Sequence, residues 1–297
     1  MSDTANAYRQ VSEQASQREP SVVKLLRSAR RHRMFTLGVL LVSFYAVVAL
    51  IGPQLTVYEP TQTNPRAVLQ PPSSEFPFGT DKFGRDVLTR VVHATRLDLA
   101  IATSVALSAF AIGSLIGGLA GYYGGWLDDA VMRCVDVLFA FPAFILAMAI
   151  TGVLGDKVEY VIIAIAVAYI PYFVRLTRGE MLSVRTHQYA DAAVSAGNPG
   201  WRVMAVHLLP NSLTPALVQM ALVFAWAILD TAGLAFLGLG ITPPTAEWGV
   251  LVSEGAQRIV TGEWWVWLFP GLAIVLAAFA FSLVGDGLRD LNARAEK

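Results

Sequence analysis

The 297 residues lack most of what enzymes and metalloproteins are built from. One cysteine, Cys134, excludes an internal disulfide and any CxxC redox or metal pair. The four histidines, His32, His93, His187 and His207, form no i,i+4 pair on a helix, and HExxH is absent. No GxSxG nucleophile elbow is present. No GxxxxGK[ST] phosphate loop is present either, so the chain has no such route to ATP hydrolysis. Charge is scarce as well, at 15 % of residues, where soluble domains carry about 25 %. Lys plus Arg and Asp plus Glu balance at 22 each, which gives no electrostatic case for nucleic acid.

What fills the chain is apolar: 55 % of it is hydrophobic, gathered in long runs. Such runs are candidates for membrane helices, which need about 20 apolar residues each. The pattern predicts six. They cover Met34–Ile51, Leu99–Tyr122, Ala130–Val153, Val158–Val174, Leu213–Gly238 and Trp264–Val284. Pro142 interrupts the third and should bend it, and Pro171 lies near the inner end of the fourth. Gly113, Gly117, Gly118 and Gly121 in the second give a close-packing face. Trp264, Trp265 and Trp267 supply an interfacial anchor. The chain divides into a basic N-terminal tail (1–33), the first span plus an external loop (34–98), a five-helix core (99–284) containing a loop at 175–212, and a C-terminal tail (285–297). Arginines crowd the segment before Met34 and the 175–212 loop, which assigns both to the cytoplasm. On that count both termini are cytoplasmic, and 53–98, 154–157 and 239–263 lie outside. The 53–98 loop is rich in proline, with an interfacial helix expected over Asp86–Arg96.

The polar loop at 175–212 has its own internal pattern. Tyr189 to Ala196 reads as a short helix. Gly197-Asn198-Pro199-Gly200 must end it. Trp201 to Leu209 has helical spacing again, and Pro210 should stop it. Gly197 is expected at a backbone conformation that residues with a Cβ disfavour. Two aspartates, Asp136 and Asp230, fall inside predicted spans. A charge in hydrocarbon faces a cavity or a partner. Asp230 therefore either lines a solvated path, where it would meet a cationic group, or ties two helices together. A proton-driven transporter would show a fuller relay of ionisable groups.

Four stretches carry a family resemblance. Asp191-Ala192-Ala193, three residues, Gly197, nine residues, His207, Leu208 and Leu209-Pro210 resemble the EAA-x3-G-x9-I-x-LP motif of ATP-binding-cassette (ABC) importer permeases. Asp191 stands for the glutamate and His207 for the isoleucine. The segment from Phe78 to Arg90 resembles FGTDxxGRDxLxR, Leu234 to Gly249 resembles SFLGLGxxPPxPEWG, and Gly285 to Asp290 resembles GDGLRD. The last three, and the His207-to-Asn211 ending of the first, resemble the dipeptide/oligopeptide/nickel branch of these permeases. The resemblance implies an all-α, six-span type I importer permease in the bacterial inner membrane. Its implied partners are a second homologous permease, two cytoplasmic ATP-binding subunits that hold ATP and Mg, and an external solute-binding protein. It also implies that Tyr189, Asp191, Ala192, Ala193, Gly197, His207, Leu209 and Pro210 couple the chain to those ATPases. The chain itself would hold no cofactor and catalyse nothing. A peptide-like cargo is expected, with nickel or glutathione as alternatives. An ATP-independent secondary transporter is the reading from a different class.

Overall fold

The computed structural model describes residues 33–295. The basic tail therefore lies, apart from Arg33, outside the described residues. The described chain is helical. In order, the helices are α1 (Arg33–Leu55), α2 (Val87–Tyr123), α3 (Gly125–Phe139), α4 (Ala143–Leu154) and α5 (Val158–Val184). There follow α6 (Gln188–Ser195), α7 (Gly200–Arg202), a π-helical segment (Val203–Leu208) and α8 (Leu209–Ser212). The chain closes with α9 (Thr214–Phe236), α10 (Trp248–Ala256) and α11 (Trp265–Ala295). Five helices, α1, α2, α5, α9 and α11, are long and apolar enough to cross a membrane, and α3 with α4 makes a sixth if the bent pair counts as one span.

Three boundaries differ from the expected ones. The interfacial helix over Asp86–Arg96 is not separate: it is the first part of α2, which runs unbroken to Tyr123. Nothing between Arg96 and Leu99 breaks a helix, so the backbone ladder continues. At 1.5 Å per residue, α2 is roughly 55 Å long and overshoots a hydrocarbon core of about 30 Å. The third span is sharply broken: α3 and α4 meet at 88°. Pro142 supplies the break, since it cannot donate and sits as the N-cap of α4. Finally, α5 and α11 carry on past their apolar stretches, into Arg175–Val184 and through Gly285–Asp290.

The core is a bundle of α2, α5, α9 and α11, with α1 against α2 and α11. Close approach of α2 and α5 depends on glycine. A Cβ at Gly113 would lie 2.6 Å from the Cβ of Phe173, and one at Gly117 2.4 Å from the Val174 carbonyl. A Cβ at Gly121 would lie 2.9 Å from Met181 Cβ. The i, i+4, i+8 spacing puts all three on one face, where only hydrogen fits.

The two ends of α2 carry different structures. Its N-terminal end is covered by a cap made of the 56–86 and 237–264 segments. A buried ionic cluster pins that cap. Asp81 Oδ2 accepts from Arg85 Nε at 2.6 Å and from Arg90 Nη1 at 2.7 Å. The Glu254 carboxylate accepts from Arg85 Nη2 at 2.9 Å and Arg90 Nη1 at 2.8 Å. Arg90 is 0 % exposed, so both its carboxylate partners are needed to offset its desolvation. Glu247 caps α10 through the Gly249 and Val250 amides. The C-terminal end of α2 carries the elbow.

Candidate functional site: the elbow and the aromatic wall

The elbow begins where α5 ends. His187 lies just before α6, and Asp191 falls in the helix's first turn, where a carboxylate suits the helix dipole. The helix closes in a tight C-terminal turn: the Gly197 amide donates to the Val194 carbonyl at 2.9 Å. Gly197 has φ +80°, the left-handed conformation expected of it. Asn198 adds a side-chain cap, its Nδ2 donating to the Ala193 carbonyl at 2.9 Å. A Cβ at Gly197 would meet nothing within 4 Å, so the constraint there is conformational and not steric.

Beyond the turn the helix does not end at Pro210. It widens into a π-helical segment over Val203–Leu208 and continues as α8, with Pro210 in its first turn. Proline lacks the N–H that would reach Val206, and its ring would strike that carbonyl. The wider turn removes the conflict: the Leu209 amide donates five residues back, to Met204. His207 lies within the π segment and Leu209 directly after it, both half-buried, on a continuous helical path.

A small apolar cluster of its own holds the elbow. Met181 and Val184 of α5, Ala190 of α6, and Val203, Met204 and Leu208 of the π segment are buried together. Leu119 and Tyr122 of α2 pack on them. Arg185 Nη1 donates to the Gly121 carbonyl at 2.9 Å, at the C-terminal end of α2 where a cation is favoured. The elbow is therefore seated on the ends of α2 and α5 together.

Its outward side is unusual for a polar loop. Tyr189, Val194, Trp201 and Val206 are exposed there, with Trp201 62 % accessible. Asp191 and Ala192 are exposed beside them, and Ala193 is half-buried. These exposed apolar side chains share the elbow with the charges of Asp191 and Arg202, both exposed.

Asp230 lies in α9, far along the sequence from that surface. Tyr169 Oη of α5 donates to its Oδ2 at 2.7 Å. This is an interhelical tie, and it stands in an aromatic group: Trp226 stacks on Tyr169 with centroids 5.7 Å apart, and Tyr172 lies 5.9 Å from Trp226. Phe139 of α3 meets Tyr172 edge-on at 4.9 Å. One turn further along α5, Arg175 sits over Phe139 and pairs with Asp136 at 2.6 Å. Tyr172, Trp226 and Asp230 stay half-exposed although their helices are apolar. Sequence reasoning singled out the two aspartates and missed their companions. The signals were there: Tyr169 and Tyr172 at i,i+3, and Trp226 and Asp230 at i,i+4, each pair on one helical face. Among the described residues, no group of three or more His, Cys, Asp or Glu could hold a metal ion.

The comparisons with known proteins agree with this architecture. Residues 113–297 match the model of the binding-protein-dependent transport system inner membrane component family. Residues 24–72 match the N-terminal transmembrane domain of oligopeptide transport permease C. The chain is similar to the dipeptide transport system permease protein of Alkalihalophilus pseudofirmus, 40 % identical over 264 residues, covering 89 % of this chain and 86 % of that one. It is 43 % identical over 270 residues to a putative peptide transport system permease protein of Brucella abortus, covering 91 % and 90 %. A probable D,D-dipeptide transport system permease protein of Escherichia coli is 40 % identical over 245 residues, covering 82 % of each chain. By the length and strength of these matches, the chain belongs to the binding-protein-dependent transport system inner membrane components.

Proposed function

We propose that this chain forms half of the translocation path of an ATP-driven importer of peptides, and that cytoplasmic ATPase subunits drive it by gripping the elbow. The family supports the permease role, and the relatives' names favour a peptide over nickel or glutathione. The observation that carries the coupling is the elbow's two-sided build. One side is buried against α2 and α5; the other exposes Tyr189, Val194 and Trp201 around Asp191. Aromatic side chains with a charge at the edge are typical of a protein interface.

The proposed motion follows from the helices. Closure of the ATPases on ATP would shift the elbow, and α5, continuous over 27 residues, would carry the shift as a rod some 40 Å long. Tyr169 and Tyr172 ride on that rod, facing Trp226 and Asp230 of α9. A change in their relation would open the wall toward one side or the other, which is alternating access. The Asp230 oxygen not engaged by Tyr169 is the group proposed to meet the cargo's amine. The second permease completes the path opposite this wall, and an external binding protein delivers at the cap. The elbow and both termini then face the cytoplasm.

The test is a single reporter. Ser195→Cys is placed on a Cys134→Ser background, because Cys134 is itself exposed. An impermeant thiol reagent should label Cys at 195 in inside-out vesicles and not in intact cells, and a thiol-to-amine crosslinker should join it to the ATPase. Labelling from outside intact cells would refute the arrangement.

A further inference from the structure

A pocket of about 380 Å³ lies beside the cap, between the last turns of α1 and the first turns of α2. The elbow and the aromatic wall contribute nothing to it. Its charged lining is of one sign: Asp86 and Glu75 are carboxylates, and no Lys, Arg or His lines it. Thr56, Tyr58, Ser74 and Thr89 add hydroxyls, while Val48, Leu55 and Val92 make part of the apolar wall.

Asp86 is the decisive residue. It is 6 % exposed, yet no salt bridge reaches it among the described residues. Its Oδ2 is fully engaged as the N-cap of α2, accepting from the Thr89 amide at 2.8 Å and the Thr89 hydroxyl at 2.7 Å. Its Oδ1 is buried with no partner at all. A desolvated carboxylate oxygen left unpaired is costly, so the site as it stands is incomplete. The neighbouring arginines do not complete it, because Arg85 and Arg90 are turned to Asp81 and Glu254.

We propose that this pocket binds the primary ammonium headgroup of a membrane aminophospholipid. An ammonium carries three donors and no acceptor, which fits a lining of carboxylates and hydroxyls. The apolar wall excludes a freely hydrated small cation as the better fit and favours an amine attached to an apolar body. The level along α1 fits too: α1 is long and apolar enough to cross a membrane, so its end, where the pocket sits, would lie where hydrocarbon gives way to headgroups. Leu50, Leu55 and Val57 are 71 %, 76 % and 87 % exposed around it, a surface on which acyl chains would lie. A bound lipid would join α1 to α2 at the foot of the cap.

The experiment uses the intact importer complex in nanodiscs of equal phosphatidylethanolamine, phosphatidylglycerol and phosphatidylcholine. The complex is released into mild detergent, and retained lipid is counted by native mass spectrometry. The wild type should retain phosphatidylethanolamine in preference to phosphatidylglycerol, and in preference to phosphatidylcholine, whose quaternary nitrogen has no N–H. Asp86→Asn keeps an oxygen for the Thr89 amide and removes the charge. It should lower phosphatidylethanolamine retention about tenfold or more, the loss expected for one charge-assisted hydrogen bond. Leu88→Trp, which fills the pocket from another wall, should lower it as well. Glu59→Gln, a nearby carboxylate outside the lining, should leave it unchanged. The same spectra report subunit stoichiometry; if Asp86→Asn does not assemble, Leu88→Trp decides. Undiminished retention in an assembled Asp86→Asn or Leu88→Trp complex overturns the proposal, as does equal retention of phosphatidylglycerol. Displacement of the lipid by millimolar trialanine would assign the site to a soluble amine and overturn the lipid source.

Discussion

Arg90→Met removes one of two arginines from the cap's buried cluster, and the structure fixes what is left. Asp81 and Glu254 lose the Nη1 donor they share, at 2.7 and 2.8 Å. Two carboxylates then face Arg85 as the one buried cation, all three 8 % exposed or less, with Lys82 left at the rim. Methionine fills the volume of the arginine stem, so packing changes little and the charge imbalance dominates. Breaking a buried ionic group in this way costs about 3–5 kcal/mol. Lys82→Met touches the same cluster at its rim. Lys82 lies 3.7 Å from Glu254 and is 27 % exposed, so its loss should cost within about 1 kcal/mol. The assay is thermal unfolding of the purified complex together with limited tryptic cleavage within the 56–86 segment. Arg90→Met should lower the apparent Tm on the order of 10 °C. It should also raise cleavage in the cap, since the cap would open locally before the bundle does. Lys82→Met should leave the melt within a few degrees, at about 2–4 °C per kcal/mol. If the two variants melt alike, burial does not set the worth of these ion pairs and the reasoning fails.

Further outcomes can be stated for other sites. Asp230→Asn keeps an oxygen for Tyr169 but loses the charge; it should cut the initial rate of uptake while subunit assembly stays normal, and unchanged uptake would remove Asp230 from the path. Tyr169→Phe deletes only the tie to Asp230 and should lower stability by about 1 kcal/mol, read as a small drop in apparent Tm. Burial pushes the Glu247 carboxyl from 4.5 up to about 7. Because the folded state raises this pKa, the stability gained by protonation is complete below the ordinary value and is lost as pH rises through about 7. The apparent Tm should therefore fall between pH 5 and pH 8, and Glu247→Gln, neutral throughout, should flatten that slope.

Much of this was legible because lipid permits few solutions. Apolar runs marked the spans, and the Gly197-Asn198-Pro199-Gly200 cluster marked a turn that does hold Gly197 at φ +80°. Boundaries were less legible: where a helix leaves hydrocarbon its hydrogen bonds continue, so polarity changes at Asp98 and Arg175 without a break in structure. Pro142 announced a bend but not its 88°, which depends on what packs around it. Pro210 read as a stop because a sequence does not show a π turn absorbing the clash. The Arg90–Glu254 contact spans 164 positions, and arginines in a polar loop read as solvated until folding buries them. The aromatic wall was hidden for the same reason, since Tyr169 and Trp226 meet only when α5 packs on α9.

The coupling claim is tested most directly by ATPase activity stimulated by loaded binding protein, measured with uptake and subunit retention in Gly197→Val and Asp191→Ala complexes. A side chain at φ +80° costs about 1–2 kcal/mol in backbone conformation. With no atom within 4 Å of that Cβ, the damage should stay in the elbow and leave the membrane bundle inserted. Asp191→Ala removes the exposed carboxylate from the elbow. The account predicts lost uptake, with either lost stimulation or lost ATPase subunits, in a chain that still enters the membrane. Wild-type stimulation and uptake in both variants would show that this elbow does not couple the ATPases to transport.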